Sequence, residues 1–233
     1  MSELQLEGEI FKDTAARHLD AVIFDNDGTI ADTHDMILSS FRYMLKEVLD
    51  IEPPEDVIMS QVGIPLADQM ELFCDDPEVQ KRMVDVYRQH NESTHDANIR
   101  GFAGSADGLS RLRDCGMQMA VATSKRRPLA TRGLELLGIL PYFDFVVGCE
   151  DTVAHKPEPE PLLFSASKLG VSIERCAYVG DATFDIRAAK AAGCTSIAVT
   201  WGMFDEPVLA AEHPDYICHT FDELADLLVD LHG

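Results

Sequence analysis

Ala21-Val22-Ile23-Phe24-Asp25-Asn26-Asp27-Gly28-Thr29 is the stretch whose reading decides the fold. Four apolar residues, two of them β-branched, stop abruptly at two carboxylates and a glycine. Such a run reads as a buried strand of a parallel sheet. Strands of open α/β sheets deliver functional groups at their carboxyl ends, in the crevice where ligands bind. Side chains two apart on an extended segment point the same way, so Asp25 and Asp27 are expected to face one small space. Like charges that close repel, and a divalent cation is the simplest group to hold them. Gly28 lets the chain turn sharply away.

Outward from this strand the two sides of the chain differ. Towards the C-terminus, apolar runs predict strands at 119–123, 145–147, 177–179 and 196–200, with a last edge strand at 216–218. Helical spacing alternates with them at 107–115, 127–137, 160–169 and 183–192, each stopped by a glycine (Gly116, Gly138, Gly170 and Gly193), and 221–231 forms a closing helix. Strands alternating with helices argue a parallel sheet. Immediately after the first strand, 29–33 reads as a turn. From 34 to 100 the pattern is helical, with Met36, Ile37, Phe41, Met44, Leu45 and Val48 at helical spacing. Shorter helices are predicted at 57–62, 66–73 and 79–87, and no strand. Residues 1–19 read as a polar lead-in. The predicted organisation is an α/β core of 1–33 and 101–233, with a helical insert of 34–100.

The 233 residues are 46% hydrophobic and 26% charged, the balance of an ordinary globular chain. Against 19 basic residues stand 41 acidic ones, a net charge of −22. That surface repels nucleic acid and anionic membranes, so neither is an expected partner. A phosphate substrate would need a metal or local positive charge to reverse the field. Six scattered cysteines without a C-x-x-C pair, and no signal-like segment, suggest reduced thiols in a cytoplasmic protein. Cys176 and Cys194 read as small core residues. Oligomeric state is not legible beyond a monomer or small homo-oligomer.

Three further strand ends carry polar groups. Thr123-Ser124-Lys125 suits a phosphate cradle, or Thr123 simply caps the next helix. Lys156, in the proline-rich loop Lys156-Pro157-Glu158-Pro159, is either a fixed positive charge or an exposed lysine. Asp181 and Asp185 lie one helical turn apart and either share one site or complement a helix dipole.

Taken together, Asp25-x-Asp27-Gly-Thr, Thr123-Ser124, Lys156-Pro-x-Pro and Gly-Asp181-x-x-x-Asp185 resemble the four motifs of the haloacid dehalogenase superfamily, in order and spacing. The likeness covers nearly the whole chain if 34–100 is a small helical cap on a Rossmann-like core. His155-Lys-Pro-Glu-Pro-Glu-Pro and Val199-Thr-Trp-Gly202 look like the branch of phosphoglycolate phosphatases and related bacterial pyrophosphatases. Asp27 disfavours dehalogenation, because dehalogenases of the superfamily lack it.

The resemblance implies a Mg²⁺-dependent phosphatase for a small phosphomonoester such as 2-phosphoglycolate, working through an aspartyl-phosphate. Pyrophosphate hydrolysis is the alternative, ahead of a phosphosugar mutase or a non-catalytic binding protein. It casts Asp25 as nucleophile and Asp27 as acid–base, protonated when substrate binds. The metal ligands implied are the Asp25 and Asp181 carboxylates and the Asp27 backbone carbonyl, with Asp185 outside them orienting waters or Lys156. Thr123, the Ser124 amide and Lys156 would hold the phosphoryl oxygens. The bend at Gln61-Val62-Gly63-Ile64-Pro65 resembles the cap loop that enters the site, which places Gly63 beside the substrate. Mutases of the family commonly flank that glycine with lysine and arginine, where this chain has Gln61, Val62 and Leu66. Arg42 and Lys46, on the first cap helix, are either substrate contacts or surface side chains.

Overall fold

The computed structural model describes residues 18–233, so nearly all of the expected lead-in lies outside it. Strand β1 (Ala21–Phe24) lies at the centre, every one of its residues fully buried. After it come a two-residue strand β2 (Ala31–Asp32), four helices, and β3 (Arg100–Gly101), which pairs antiparallel with β2. The helices are α1 (His34–Leu49), α2 (Glu55–Met59), α3 (Leu66–Gln69) and α4 (Pro77–Asn98).

The remainder alternates as expected. Helix α5 (Ser105–Asp114) leads to β4 (Gln118–Ala122), α6 (Arg127–Leu136) and β5 (Phe145–Val147). Then come α7 (Glu160–Leu169), β6 (Cys176–Gly180), α8 (Thr183–Ala192) and β7 (Thr195–Val199). A short helix α9 (Glu206–Ala210), strand β8 (Tyr216–Cys218) and α10 (Phe221–His232) close the chain. Six strands form one parallel sheet in the order β5-β4-β1-β6-β7-β8.

Alternation along β1 builds both layers of the core. Val22 and Phe24 join Leu109, Leu112, Leu224 and Leu228 on one face. Ala21 and Ile23 join Leu162, Ala166, Ala188 and Ala189 on the other. A strand covered on both faces has no polar side, which explains its unbroken apolar run. Phe24 is in register with Val121 on one side and Val179 on the other. Asp25, Thr123 and Asp181 therefore emerge together, just past the carboxyl ends of three adjacent strands. Cys176 and Cys194 are buried, as expected.

Helices α1 to α4 gather a separate apolar cluster that includes Phe41, Met44, Ile58, Met70, Met83 and Tyr87. Several differences from the sequence reading arise here. The expected turn at 29–33 contains β2, and its partner β3 falls at the far end of the stretch expected to hold no strand. The helix expected at 57–62 spans Glu55–Met59, and that expected at 66–73 divides into α3 and a 3₁₀ turn, Met70–Leu72. Expected at 79–87, α4 runs on to Asn98, through a polar stretch with little hydrophobic signal. That extension is anchored by the buried polar residues Asn91 and His95, which follow Tyr87 at four-residue spacing. Helix α9 is too short to show a period.

Candidate active site

Backbone geometry first brings the acids to the strand ends. The Asn26 carbonyl accepts from the amides of Thr29, Ile30 and Ala31, which folds the chain tightly after Asp25. Gly28 sits at φ +80°, and a Cβ there would lie 2.2 Å from Asp181 Oδ2. A side chain at this position is thus opposed twice, by conformation and by contact. Gly202 approaches from the other side, where a Cβ would meet Asp181 Cβ at 2.3 Å. Held between the two glycines, Asp181 accepts from Thr29 Oγ1 (2.9 Å) and from the Met203 amide (2.7 Å). Trp201 donates its indole N–H to the Thr29 carbonyl (3.0 Å), tying the β7 loop to the β1 loop.

Lys156 is buried, which settles its two readings: it is not a surface lysine. Its Nζ lies 2.8 Å from Asp25 Oδ1 and 2.7 Å from Asp185 Oδ1. The contact with Asp25 is one of charge, since that oxygen receives no well-aligned hydrogen bond. Asp185 also accepts from the Ala182 amide (2.9 Å), so it serves the start of α8 and the site together. Gly180 makes room for it, since a Cβ there would be 2.3 Å from the Asp185 carboxyl.

Carboxylate oxygens of Asp25, Asp181 and Asp185 all lie within 4.8 Å of one another. Burial pushes Asp25 up to about 7, with Lys156 opposing and Asp185 reinforcing the rise. Burial and the same crowding of acids raise Asp181 well above the carboxylate range. Burial would lower the Lys156 ammonium, but Asp185 and Asp25 outweigh it and hold it charged. Three carboxylates against one ammonium leave a net charge of −2 when all are ionised. The donors are oxygens only, which suits a hard divalent cation. The cluster is thus able to bind such a metal.

Asp27 lies apart from that cluster. Its Oδ1 accepts from Lys125 Nζ (2.7 Å) and from Thr33 Oγ1 (2.8 Å). Burial would raise it, yet Lys125 and these hydrogen bonds prevail and lower its pKa. Asp27 is therefore ionised at rest, before any substrate arrives. Lys125, named in the sequence only as the end of the Thr123-Ser124-Lys125 loop, was given no role of its own there. Its only signal was its place two residues after Thr123, and that does not distinguish it from any loop lysine.

Thr123 Oγ1 accepts from the Lys125 amide (3.2 Å), inside the loop; helix α6 begins only at Arg127, so Thr123 does not cap it. Ser124 Oγ donates to the Gly63 carbonyl (2.7 Å), joining the helical segment to the sheet. Gly63 has φ +118°, and a Cβ there would press on Ala182 and Phe184 at 3.1 and 3.2 Å. Arg42 and Lys46 are exposed and pair with Glu55 and with Asp50 and Glu52, so they are surface side chains. Instead the helical segment contributes Gln69, Tyr87, Arg88 and Asn91 to a cavity of about 310 Å³ that also contains Asp25, Asp27, Thr123 and Asp181. None of those four stood out in the sequence.

A parallel sheet whose strand ends collect aspartates around one lysine defines an α/β enzyme with a carboxylate-based site. The chain belongs to the haloacid dehalogenase-like hydrolase family, whose sequence pattern matches residues 22–199. It is 38% identical over 208 residues to a Caldanaerobacter subterraneus protein named "Putative pyrophosphatase PpaX", covering 89% of this chain and 94% of that one. It is 31% identical to pyrophosphatase PpaX of Halalkalibacterium halodurans, with 90% and 97% covered. A crystal structure from Bacteroides fragilis, described as a "Putative haloacid dehalogenase-like hydrolase", superposes with a TM-score of 0.83 at 27% identity, covering 88% and 99%. The chain is thus a hydrolase of the phosphatase kind. Among the described residues, no helix is long and apolar enough to cross a membrane.

Proposed function

We propose that this chain is a Mg²⁺-dependent phosphohydrolase acting on a small phosphorylated metabolite of the cytoplasm through an aspartyl-phosphate on Asp25. One observation carries the reading. The two acids that end β1 are held by different ammonium groups, Asp25 by Lys156 and Asp27 by Lys125. Each is thereby fitted to a separate task.

Asp25 attacks phosphorus in line, and its carboxylate keeps the phosphoryl group until water displaces it. Lys156, Thr123 and the Ser124 amide hold the oxygens that gain charge. Asp27 gives a proton to the leaving oxygen and later takes one from water. It is ionised at rest, so it first has to gain that proton. An arriving phosphate competes for Lys125, and as that partner is drawn away burial favours the protonated form of Asp27. The Asp25 and Asp181 carboxylates and the Asp27 carbonyl would hold Mg²⁺, which would supply positive charge against that of the phosphate. Asp185 positions Lys156, and would orient waters on a bound metal. Residues 34–100 act as a cap that excludes bulk water, docked through Ser124 and Gly63.

A 2-phosphoglycolate-like monoester is the substrate class we favour. Pyrophosphate is the second reading, supported by the names of the relatives at 31% and 38% identity. Comparing kcat/KM over a panel of phosphoesters and pyrophosphate, with and without EDTA, tests both. Absence of EDTA-sensitive turnover on every member would refute the function.

Two further results are expected. Gly202→Ala should displace Asp181 and lower kcat/KM about 100-fold, the order of loss that a 1 Å misplacement can cause. Unchanged kinetics in a folded variant would remove Asp181 from the mechanism. The second concerns pH. Without metal, Asp25 titrates near 7 and Asp181 above its usual range, whereas in the unfolded chain both ionise near ~4. The folded state therefore holds more protons between roughly pH 4 and 7, and its stability falls as pH rises through that window. Mg²⁺ competes with those protons. Its effect on Tm should be larger at about pH 8 than at about pH 5.5, and should shrink in Asp181→Asn. Calorimetry giving equal increments at both pH values would contradict this.

A further inference from the structure

Most arginines among the described residues of this acidic chain are paired with a carboxylate. Arg42 pairs with Glu55, Arg113 with Asp144 and Arg126 with Glu92. Arg88 is different. It is half-buried on α4 and lines the cavity, yet no carboxylate lies within 4.0 Å of it among the described residues. Glu92, one turn further along the helix, is its natural partner by spacing. That carboxylate instead reaches across to Arg126, 3.8 Å away. Lys125, also in the cavity, is held by Asp27. Arg88 is thus the uncommitted guanidinium among the described residues of this cavity.

Burial and Glu150 raise the Cys149 thiol, whereas Arg88 and Arg126 pull it the other way, so both guanidinium groups lie close enough to Cys149 to act on it. A partly desolvated cation without a counter-ion is costly to keep, and an anionic ligand would relieve that cost. The planar fork of arginine matches a carboxylate or a phosphate through two parallel hydrogen bonds.

We propose that Arg88 receives a second anionic group, on the leaving side of the substrate, and so selects phosphoesters that carry one. This inference rests on the phosphohydrolase reading above. A carboxylate and a second phosphate share the required chemistry, and the arms of the test separate them.

The test compares 2-phosphoglycolate, pyrophosphate and ethyl phosphate as substrates for the wild type, Arg88→Gln and Arg88→Lys. The wild type should prefer a substrate with a second anion over ethyl phosphate. Arg88→Gln should raise KM for that substrate about 10- to 100-fold, the range for a lost charge-assisted hydrogen bond, with kcat little changed. Ethyl phosphate kinetics should not move, and Arg88→Lys should recover part of the loss. A shift confined to 2-phosphoglycolate identifies a carboxylate, and one confined to pyrophosphate a phosphate. Equal losses on all three substrates, or none on any, would overturn the assignment. If no phosphoester is turned over, the phosphohydrolase reading fails separately. Calorimetric binding of 2-phosphoglycolate and pyrophosphate then decides for Arg88: weaker binding by Arg88→Gln supports it, and equal binding overturns it.

Discussion

Asp25→Asn is expected to bring turnover close to background, a loss of at least about 10⁴-fold, on the scale seen when a covalent nucleophile is removed. The amide is nearly isosteric, so the end of β1 should keep its shape, but its nitrogen cannot attack phosphorus. Loss of the fold is not expected. Lys156 keeps Asp185 at 2.7 Å as a partner, and one of three crowded carboxylates is gone. Tm in the absence of metal should therefore stay level or rise. Rapid quenching with radiolabelled substrate should trap a phosphorylated wild-type protein and an unlabelled variant. Steady-state turnover retained by Asp25→Asn would exclude the aspartyl-phosphate route.

Lys156→Met should be the most damaging single change for stability. The ammonium is buried between Asp25 at 2.8 Å and Asp185 at 2.7 Å, and methionine fills most of its volume without its charge. Breaking a buried ion pair by removing one partner costs about 3–5 kcal/mol, because the remaining charges are left uncompensated. The urea midpoint should fall accordingly near neutral pH, and activity should be lost with it. Without the lysine Asp25 takes up a proton more readily as pH falls, so the deficit should narrow towards acid pH. Adding Asp185→Asn to Lys156→Met should recover stability without recovering turnover. An unfolding midpoint equal to that of the wild type would mean that the lysine does not balance the acids.

The sequence alone made much of this site legible, for a physical reason. Asp25, Thr123 and Asp181 each follow a short apolar run, and a parallel sheet necessarily gathers the ends of such runs on one edge. Lys156 was visible only through its proline-rich setting, and its burial was open until the loop was seen packed. The cap was recognisable as helical but not in detail. The second half of α4 is held by Asn91 and His95, buried polar residues that a hydrophobic period does not detect.

What the sequence by itself determined was which carboxylates emerge together from the sheet, and that such a cluster needs positive charge. The tertiary structure alone decided how that charge is shared. Lys125 and Lys156 come from different loops and reach neighbouring acids, and no local pattern encodes which ammonium meets which carboxylate. The same holds for Arg88, whose significance lies in the absence of a nearby carboxylate among the described residues. Local sequence sets the direction a strand end faces, whereas pairing of charges across the cleft depends on packing between segments distant in the chain.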